Sequence, residues 1–344
     1  MSTKGVEYRQ RVNQDTIPPV TRDCQSTLFV SSYRVPEPSL LLLIPAYNEE
    51  ARIEPVLREY ADFFGRNYPG KFKLFVVLNG CRDNTLGAVQ RAAADFPAIE
   101  WLDFPAPIGK GGALIEGLKL AMHADVIGYV DADGATGPAA VLKLLPHLQK
   151  YDCVIGSRWL ADSVLLQAQP TFRRFISRCF HLAVETLFFL HIKDTQCPCK
   201  IMRRDAAEKI QGELRIADLS FDVNLLVALD RAGCTILEAP VEWTDKVGSK
   251  VTSSLFRSSL TMLLSIIRLR LVFSPFRPLL RWLRPMEIFL YKKLRQPAPL
   301  SSVPRKAPGQ KEVGETANGS VPPSPATPDA PNSTKGTEEK VDNQ

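Results

Sequence analysis

Two carboxylates separated by one residue, Asp131-Ala132-Asp133-Gly134, follow a short apolar run, Val126–Val130. Just past a strand end, carboxylates at that spacing can present oxygens to one hard cation. Mg²⁺ or Mn²⁺ held by few protein ligands keeps coordination positions open for substrate phosphates. The plainer reading is a turn at Asp133-Gly134 that caps the next helix. Asp-x-Asp alone separates the two weakly, so the neighbouring motifs matter. Gly109-Lys110-Gly111-Gly112 lacks the Gly-x-x-x-x-Gly-Lys-Ser/Thr spacing of a P-loop. As a glycine-rich helix start it can lie close to a diphosphate or ribose, or simply form a close-packed turn. Cys197 and Cys199 have no matching Cys or His pair, which argues against zinc. No Gly-x-Gly-x-x-Gly follows the first strand, which argues against a dinucleotide oxidoreductase.

The elements that must position these residues follow from hydrophobic spacing. Leu40–Ile44 is a continuous apolar run ending at Pro45, the pattern of a strand buried on both faces. Asn48 is a plausible N-cap for a helix with apolar positions Ile53, Val56, Leu57, Tyr60 and Phe64. Further strands are expected at Leu74–Leu78, Ile99–Leu102, Val126–Val130, Cys153–Ile155 and, last, Thr235–Ala239. Helical spacing is expected from Asn84 to Phe96 and over Gly111–His123, Val141–Leu148, Phe172–Leu190, Phe221–Ala232 and Ser253–Leu271. This alternation describes an α/β fold, a mostly parallel sheet flanked by helices. Ligands of such sheets gather beyond the carboxyl ends of the strands, where Asn48, Asn79 and Asp131 fall.

Composition bounds the rest. The chain has 344 residues, 45% hydrophobic and 23% charged, which excludes collagen-like or wholly disordered classes. Residues 1–38 form a polar extension, and 39–256 hold the α/β domain. Residues 257–295 carry nine Lys or Arg against one acid, while the remainder is close to neutral. Basicity so local does not describe a nucleic-acid surface. Ile266, Ile267, Leu269, Leu271, Val272 and Phe273 beside Arg268 and Arg270 instead describe a segment for an anionic membrane surface. An ordinary amphipathic helix packed on the domain, or a partner-binding one, gives the same pattern. Residues 296–344 hold nine of the 27 prolines and one large aliphatic residue, Leu300, a disordered Pro/Ser/Thr-rich tail by composition. The seven cysteines are irregularly spaced, and no apolar run follows the first residues, so neither a disulfide framework nor a secretory signal is expected. Without a long uncharged apolar stretch no conventional membrane span is expected, and the protein is soluble or peripheral; the basic segment makes a cytoplasmic protein, peripheral on the cytoplasmic face of a membrane, the expectation.

Several motifs form an ordered set: Ile44-Pro45-Ala46-Tyr47-Asn48-Glu49-Glu50, Asn79-Gly80-Cys81-Arg82-Asp83-Asn84-Thr85, the Gly109 turn, Asp131-Ala132-Asp133-Gly134-Ala135-Thr136, Gly156-Ser157-Arg158, Asp194-Thr195-Gln196-Cys197, Phe221-Asp222-Val223, Val241-Glu242-Trp243-Thr244-Asp245 and Gly248-Ser249-Lys250-Val251. With this set, about residues 39–272 resemble family 2 glycosyltransferases of the GT-A fold. Within them the chain looks like the dolichyl-phosphate β-glucosyltransferase branch, whose polyprenyl-phosphate mannosyltransferase relatives share part of the set. The resemblance implies an inverting, nucleotide-sugar-dependent hexosyltransferase acting on a polyprenyl phosphate, with UDP-glucose as first donor. It places the donor against Pro45, Tyr47, Asn48, Glu49, Asn79, Lys110, Asp131, Ala132 and Asp133, and the metal on Asp131 and Asp133. Acceptor phosphate is assigned to Arg158, Arg173, Gln196 and Lys250, with Asp194 shaping that end. Arg174 and Arg178 fit a solvated or lipid-facing helix side. Two departures stand out: Leu78-Asn79 where the family has an acidic pair, and Cys197-Pro198-Cys199-Lys200 where it has Cys-Gly-Phe-Lys.

The chemistry fits. A phosphate monoester, with its second pKa near ~6, is largely dianionic at neutral pH and needs no strong general base. It needs cations that hold it in line with C1 of the sugar. The rivals are a GDP-mannose donor, a hydroxyl acceptor with Asp194 or Asp222 as base, and a nucleotide-sugar-binding scaffold without catalysis. The residues leave oligomeric state open.

Overall fold

The computed structural model describes residues 37–165, 171–244, 255–275 and 305–306. Its central strand β1 (Leu40–Ala46) buries all of Leu40, Leu41, Leu42, Leu43 and Ile44. Successive side chains point to opposite faces: Leu41 and Leu43 enter one core, Leu40, Leu42 and Ile44 another. Burial of each such side chain contributes about 1.5–3 kcal/mol, which is why this run dominates the local choice of structure. β2 (Phe72–Asn79) pairs in parallel with β1, and β3 (Ile99–Phe104) with β2. β4 (Val126–Tyr129) pairs in parallel on the other side of β1. The crossovers are α1 (Ile53–Asn67), α2 (Thr85–Asp95) and α3 (Lys110–Ala121). α1 and α2 cover one face, and α3 covers the other.

Beyond β4 come α4 (Pro138–Leu144), β5 (Cys153–Ser157), β6 (Val164–Leu165), α5 (Thr171–Phe188), β7 (Lys200–Arg203) and α6 (Arg204–Ile210). They are followed by α7 (Phe221–Arg231), β8 (Ile236–Pro240), β9 (Glu242–Trp243), α8 (Leu255–Val272) and a two-residue β10 (Arg305–Lys306). The main sheet runs β10-β3-β2-β1-β4-β7-β5-β8, and β6 pairs with β9 apart from it.

Four expectations are corrected. β7 lies antiparallel between β4 and β5, a strand too short and too charged for its pattern to show. The helix expected to reach Leu148 stops at Leu144 and continues as a 3₁₀ turn, because Pro146 has no N–H to extend the ladder. Asn48 caps no helix: α1 starts at Ile53, and Asn48 sits in the left-handed region with φ of 54°. In α8, Ile266 and Leu269 are fully buried in the core, and Phe273 packs beside them beneath the Arg231 guanidinium, 4.7 Å away. The described part of the basic segment is therefore packed against α5 and α7, with Leu263 and Ile267 on its exposed side. Among the described residues no helix is long and apolar enough to cross a membrane.

Candidate active site

The ends of β1, β2 and β4 lie at one edge of the sheet, since the three strands are parallel. The loops after β1 and β2 bind each other. Asn48 Oδ1 accepts from the Arg82 amide at 2.7 Å, the Glu49 amide donates to Thr85 Oγ1 at 2.8 Å, and the Asn84 amide donates to Glu50 at 3.0 Å. Left-handed Asn48 makes that cross-link possible, so its side chain serves the loop instead of a helix start. Glu49 also pairs with Arg52 at 2.5 Å. Pro45 lies at the end of β1, and Tyr47 beside it leaves 45% of its surface open. The carboxyl end of β1 thus offers one exposed aromatic ring on a braced platform.

Asn79 is buried, and its Oδ1 accepts from the amides of Ile108 at 2.6 Å and Gly109 at 3.0 Å. It positions the turn that opens α3. Gly80, with φ of 65°, lies against the same turn: a Cβ there would stand 2.4 Å from the Pro107 nitrogen. That turn delivers Lys110, whose Nζ lies 2.6 Å from Asp131 Oδ1 with both side chains partly open to solvent. Burial holds the Asp131 carboxyl above its ordinary range; neighbouring Asp133 adds to this and Lys110 opposes it. Asp133 Oδ1 accepts from the Ala135 amide at 3.0 Å, and Gly134 turns with φ of 70°. Asp133 therefore shapes a turn, as the plainer reading expected, while standing beside Asp131. Ala132 between them is buried.

Among the described residues no group of three or more His, Cys, Asp or Glu is arranged to hold a metal. Two adjacent carboxylates, one raised in pKa by burial and by the other, do fit a hard cation whose other ligands are phosphate oxygens and water. They do not make a four-ligand protein site.

The second half of the site gathers at the end of β5. Arg158 donates from Nε to Asp194 Oδ2 at 2.7 Å and from a terminal nitrogen to Oδ1 at 2.9 Å, and its amide adds a third bond to Oδ2. Its guanidinium lies 5.0 Å from the Trp243 ring centre. Asp194 is 1% exposed, and Arg158 holds its carboxyl below the ordinary range despite burial. The Gln196 amide donates to the same carboxylate at 3.3 Å. Thr136 Oγ1, Ser157 Oγ, Gln196 Nε2 and Trp243 Nε1 are buried without a partner among the described residues. These atoms belong to residues that flank the Arg158–Asp194 pair, and oxygens of a polar ligand would satisfy them. Arg173 falls in the first turn of α5, its side chain outside the described residues, as are Arg174 and Lys250. Arg178 stacks over Trp159 at 5.6 Å.

Sequence reasoning passed over one pair. Lys200 is fully buried and bonds Asp222 at 2.6 Å, holding that carboxyl low against burial. The available signal was a lysine inside the apolar run Cys199–Met202, since a charge there requires a partner.

Several known proteins resemble this chain. The profile of glycosyl transferase family 2 matches residues 42–211. A dolichyl-phosphate β-glucosyltransferase of Dictyostelium discoideum is 32% identical over 243 residues, 67% of this chain and 73% of that protein. The chain belongs to glycosyl transferase family 2. A dolichyl-phosphate β-glucosyltransferase of Drosophila melanogaster is 30% identical over 243 residues, covering 66% of this chain and 74% of its own. Glucosyl-3-phosphoglycerate synthase from Mycobacterium tuberculosis, solved with Mn²⁺, UDP and glucosyl-3-phosphoglycerate, superposes with a TM-score of 0.53 at 17% identity. That match covers 68% of this chain and 80% of the other, and shows the GT-A fold. As a family 2 member the protein is a nucleotide-sugar-dependent glycosyltransferase.

Proposed function

We propose that the protein transfers glucose from UDP-glucose, with inversion, to a polyprenyl phosphate of the dolichyl type, on a membrane's cytoplasmic face. The observation that carries this reading is the state of the two carboxylates available as bases. Asp194 is held by Arg158 and Asp222 by Lys200, both as low-pKa carboxylates. A sugar hydroxyl would need one of them to take its proton. A phosphate arrives already ionised, and so suits a site whose carboxylates are engaged. The names of the relatives, dolichyl-phosphate β-glucosyltransferases, support the same acceptor. A structural neighbour crystallised with Mn²⁺ and UDP-glucose supports the donor and the metal.

In this mechanism Tyr47 and the 45–49 loop receive the nucleotide, and Lys110 neutralises part of the diphosphate. Asp131 and Asp133 would hold Mg²⁺ or Mn²⁺, which offsets charge on the departing nucleoside diphosphate. Arg158, fixed by Asp194, presents its remaining N–H donors to the acceptor phosphate together with Gln196, Arg173 and Lys250. A phosphate oxygen attacks C1 from the face opposite the diphosphate. The C1–oxygen bond to the diphosphate breaks, and configuration inverts. Leu182, 62% exposed on α5, Phe189, 73% exposed just past the end of that helix, and Leu263 and Ile267 of α8 support contact with the lipid surface.

The test incubates purified protein with Mg²⁺, polyprenyl phosphate in liposomes and a panel of UDP- and GDP-sugars, followed by mass spectrometry of the lipids. A hexosyl phospholipid made from UDP-glucose is the expected product. Donor hydrolysis without a lipid product would move the acceptor to another class. A product from GDP-mannose alone would replace the donor.

A further inference from the structure

Stability alone does not account for the buried Lys200–Asp222 pair. Removing an ammonium and a carboxylate from water is costly, and apolar side chains of similar volume stabilise a core at least as well. What apolar side chains cannot do is tie two carbonyls of one turn to a side chain of a helix at a single atom. Lys200 Nζ has three N–H bonds, and all are used: to the carbonyl of Cys197 at 2.5 Å, to that of Thr195 at 3.2 Å, and to Asp222 Oδ1 at 2.6 Å. The first two hold the turn that begins at Asp194, the residue gripping Arg158. The third reaches α7. Tyr129 OH donates to the same Asp222 oxygen, and Tyr129 stands on β4 two residues before Asp131. The ammonium also lies 5.5 Å from the centre of the Tyr129 ring.

We propose that Lys200 is a positioning residue for transfer: its ammonium holds the Asp194–Cys197 turn, and with it Arg158, at a fixed distance from the Asp131 end of β4. The inference rests on the reading above, in which Asp131 marks the donor and Arg158 the acceptor. Lys200 touches neither substrate. It sets where the nucleophile is presented, and an error of about 1 Å in that placement can cost about 10²-fold in rate.

The experiment compares wild type, Lys200→Met and the double variant Lys200→Met/Asp222→Asn in the full chain. Lys200→Met leaves a buried carboxylate unpaired and is expected to lower the melting temperature. The double variant removes both charges and is expected to regain most of that loss. Amide exchange across 194–197 should nonetheless rise about tenfold over wild type, with β4 and α7 still protected. Turnover should fall about 10²-fold while the Kd for UDP stays within about threefold. A double variant with wild-type exchange and turnover would overturn the proposal and leave Lys200 as a mere counter-charge. If the double variant does not fold, Asp222→Asn alone keeps the two carbonyl bonds. Exchange across 194–197 should then stay near wild type, and a loosened turn would overturn the proposal. Exchange and UDP binding need no acceptor, so they remain readable even if the lipid product proves to be another compound.

Discussion

The two ends of the site are built from opposite materials. At the proposed donor end, loops are tied mainly through backbone amides, which donate to Asn79, to Asn48 and to the Glu50 carboxylate. Of its charged pairs, Lys110 and Asp131 keep 22% and 29% of their side-chain surface exposed, and Arg52 and Glu49 keep 28% and 16%. At the acceptor end the charges are buried and matched to one another, Arg158 with Asp194 and Lys200 with Asp222. The difference assigns different tasks to charge. Where it stays accessible, it can be shared with a cation and a diphosphate; where it is enclosed, it fixes geometry.

The sharpest way to break this contrast is at Asp133. Asp133→Ala should reduce turnover by about 10²–10³-fold while metal dependence of donor binding disappears, read by calorimetry with UDP and Mn²⁺. Retained metal dependence would return Asp133 to its role in the turn alone. Next in size is Asp194→Asn, expected to lower kcat/KM about 10²-fold and to cost about 3 kcal/mol or more by unpairing a buried guanidinium. Its pH signature has a definite sign. Asp194 is held below its ordinary value of 3.8, so its stabilisation is complete above that value and lost as pH falls through the depressed one. Wild type should therefore lose stability on acidification below about pH 4 more steeply than Asp194→Asn, checked by urea midpoints from neutral to acid.

At the donor end, Asn79→Ala strands two amides and should weaken nucleotide binding about tenfold, with about 2 kcal/mol lost from stability. Asn79→Asp keeps the accepting oxygen and should stay within about 1 kcal/mol of wild type. Equal damage from both would mean the amide's N–H groups matter more than its oxygen. The smallest effect is expected outside both ends. Phe189→Ser should leave folding unchanged within about 0.5 kcal/mol and reduce sedimentation with anionic vesicles about threefold.

Much of the donor end was legible in the sequence because local patterns build it. The run Leu40–Ile44 allowed one reading, and the turn residues Asn79-Gly80 and Asp133-Gly134 mark strand ends directly. What they bind was not legible. Asn79 is engaged with residues 29 and 30 positions away, so its difference from the family's acidic residue bears on loop support, which the sequence did not show. The acceptor end was hidden more deeply. Lys200 and Asp222 lie 22 positions apart, and Arg158 and Asp194 lie 36 apart. Only the sheet brings them together. β7 itself has four residues and a charge at each end, Lys200 and Arg203, which left no alternation to read. In α8 the sequence shows an amphipathic helix but not which neighbour takes its apolar face, and that neighbour is the domain.

The place of β7 has a consequence for synthesis. β4 and β5 precede it in the chain, yet both take it as their neighbour, and each is bonded to it in antiparallel fashion. A nascent chain that has just completed β5 holds β3, β2, β1 and β4 in a form able to associate, but leaves the outer edge of β4 unpaired. Such an edge is a template for misassociation until Lys200–Arg203 emerges and closes it. The sheet thus closes from its middle, late, and with a strand whose first residue carries a charge to be matched by Asp222, which emerges later still.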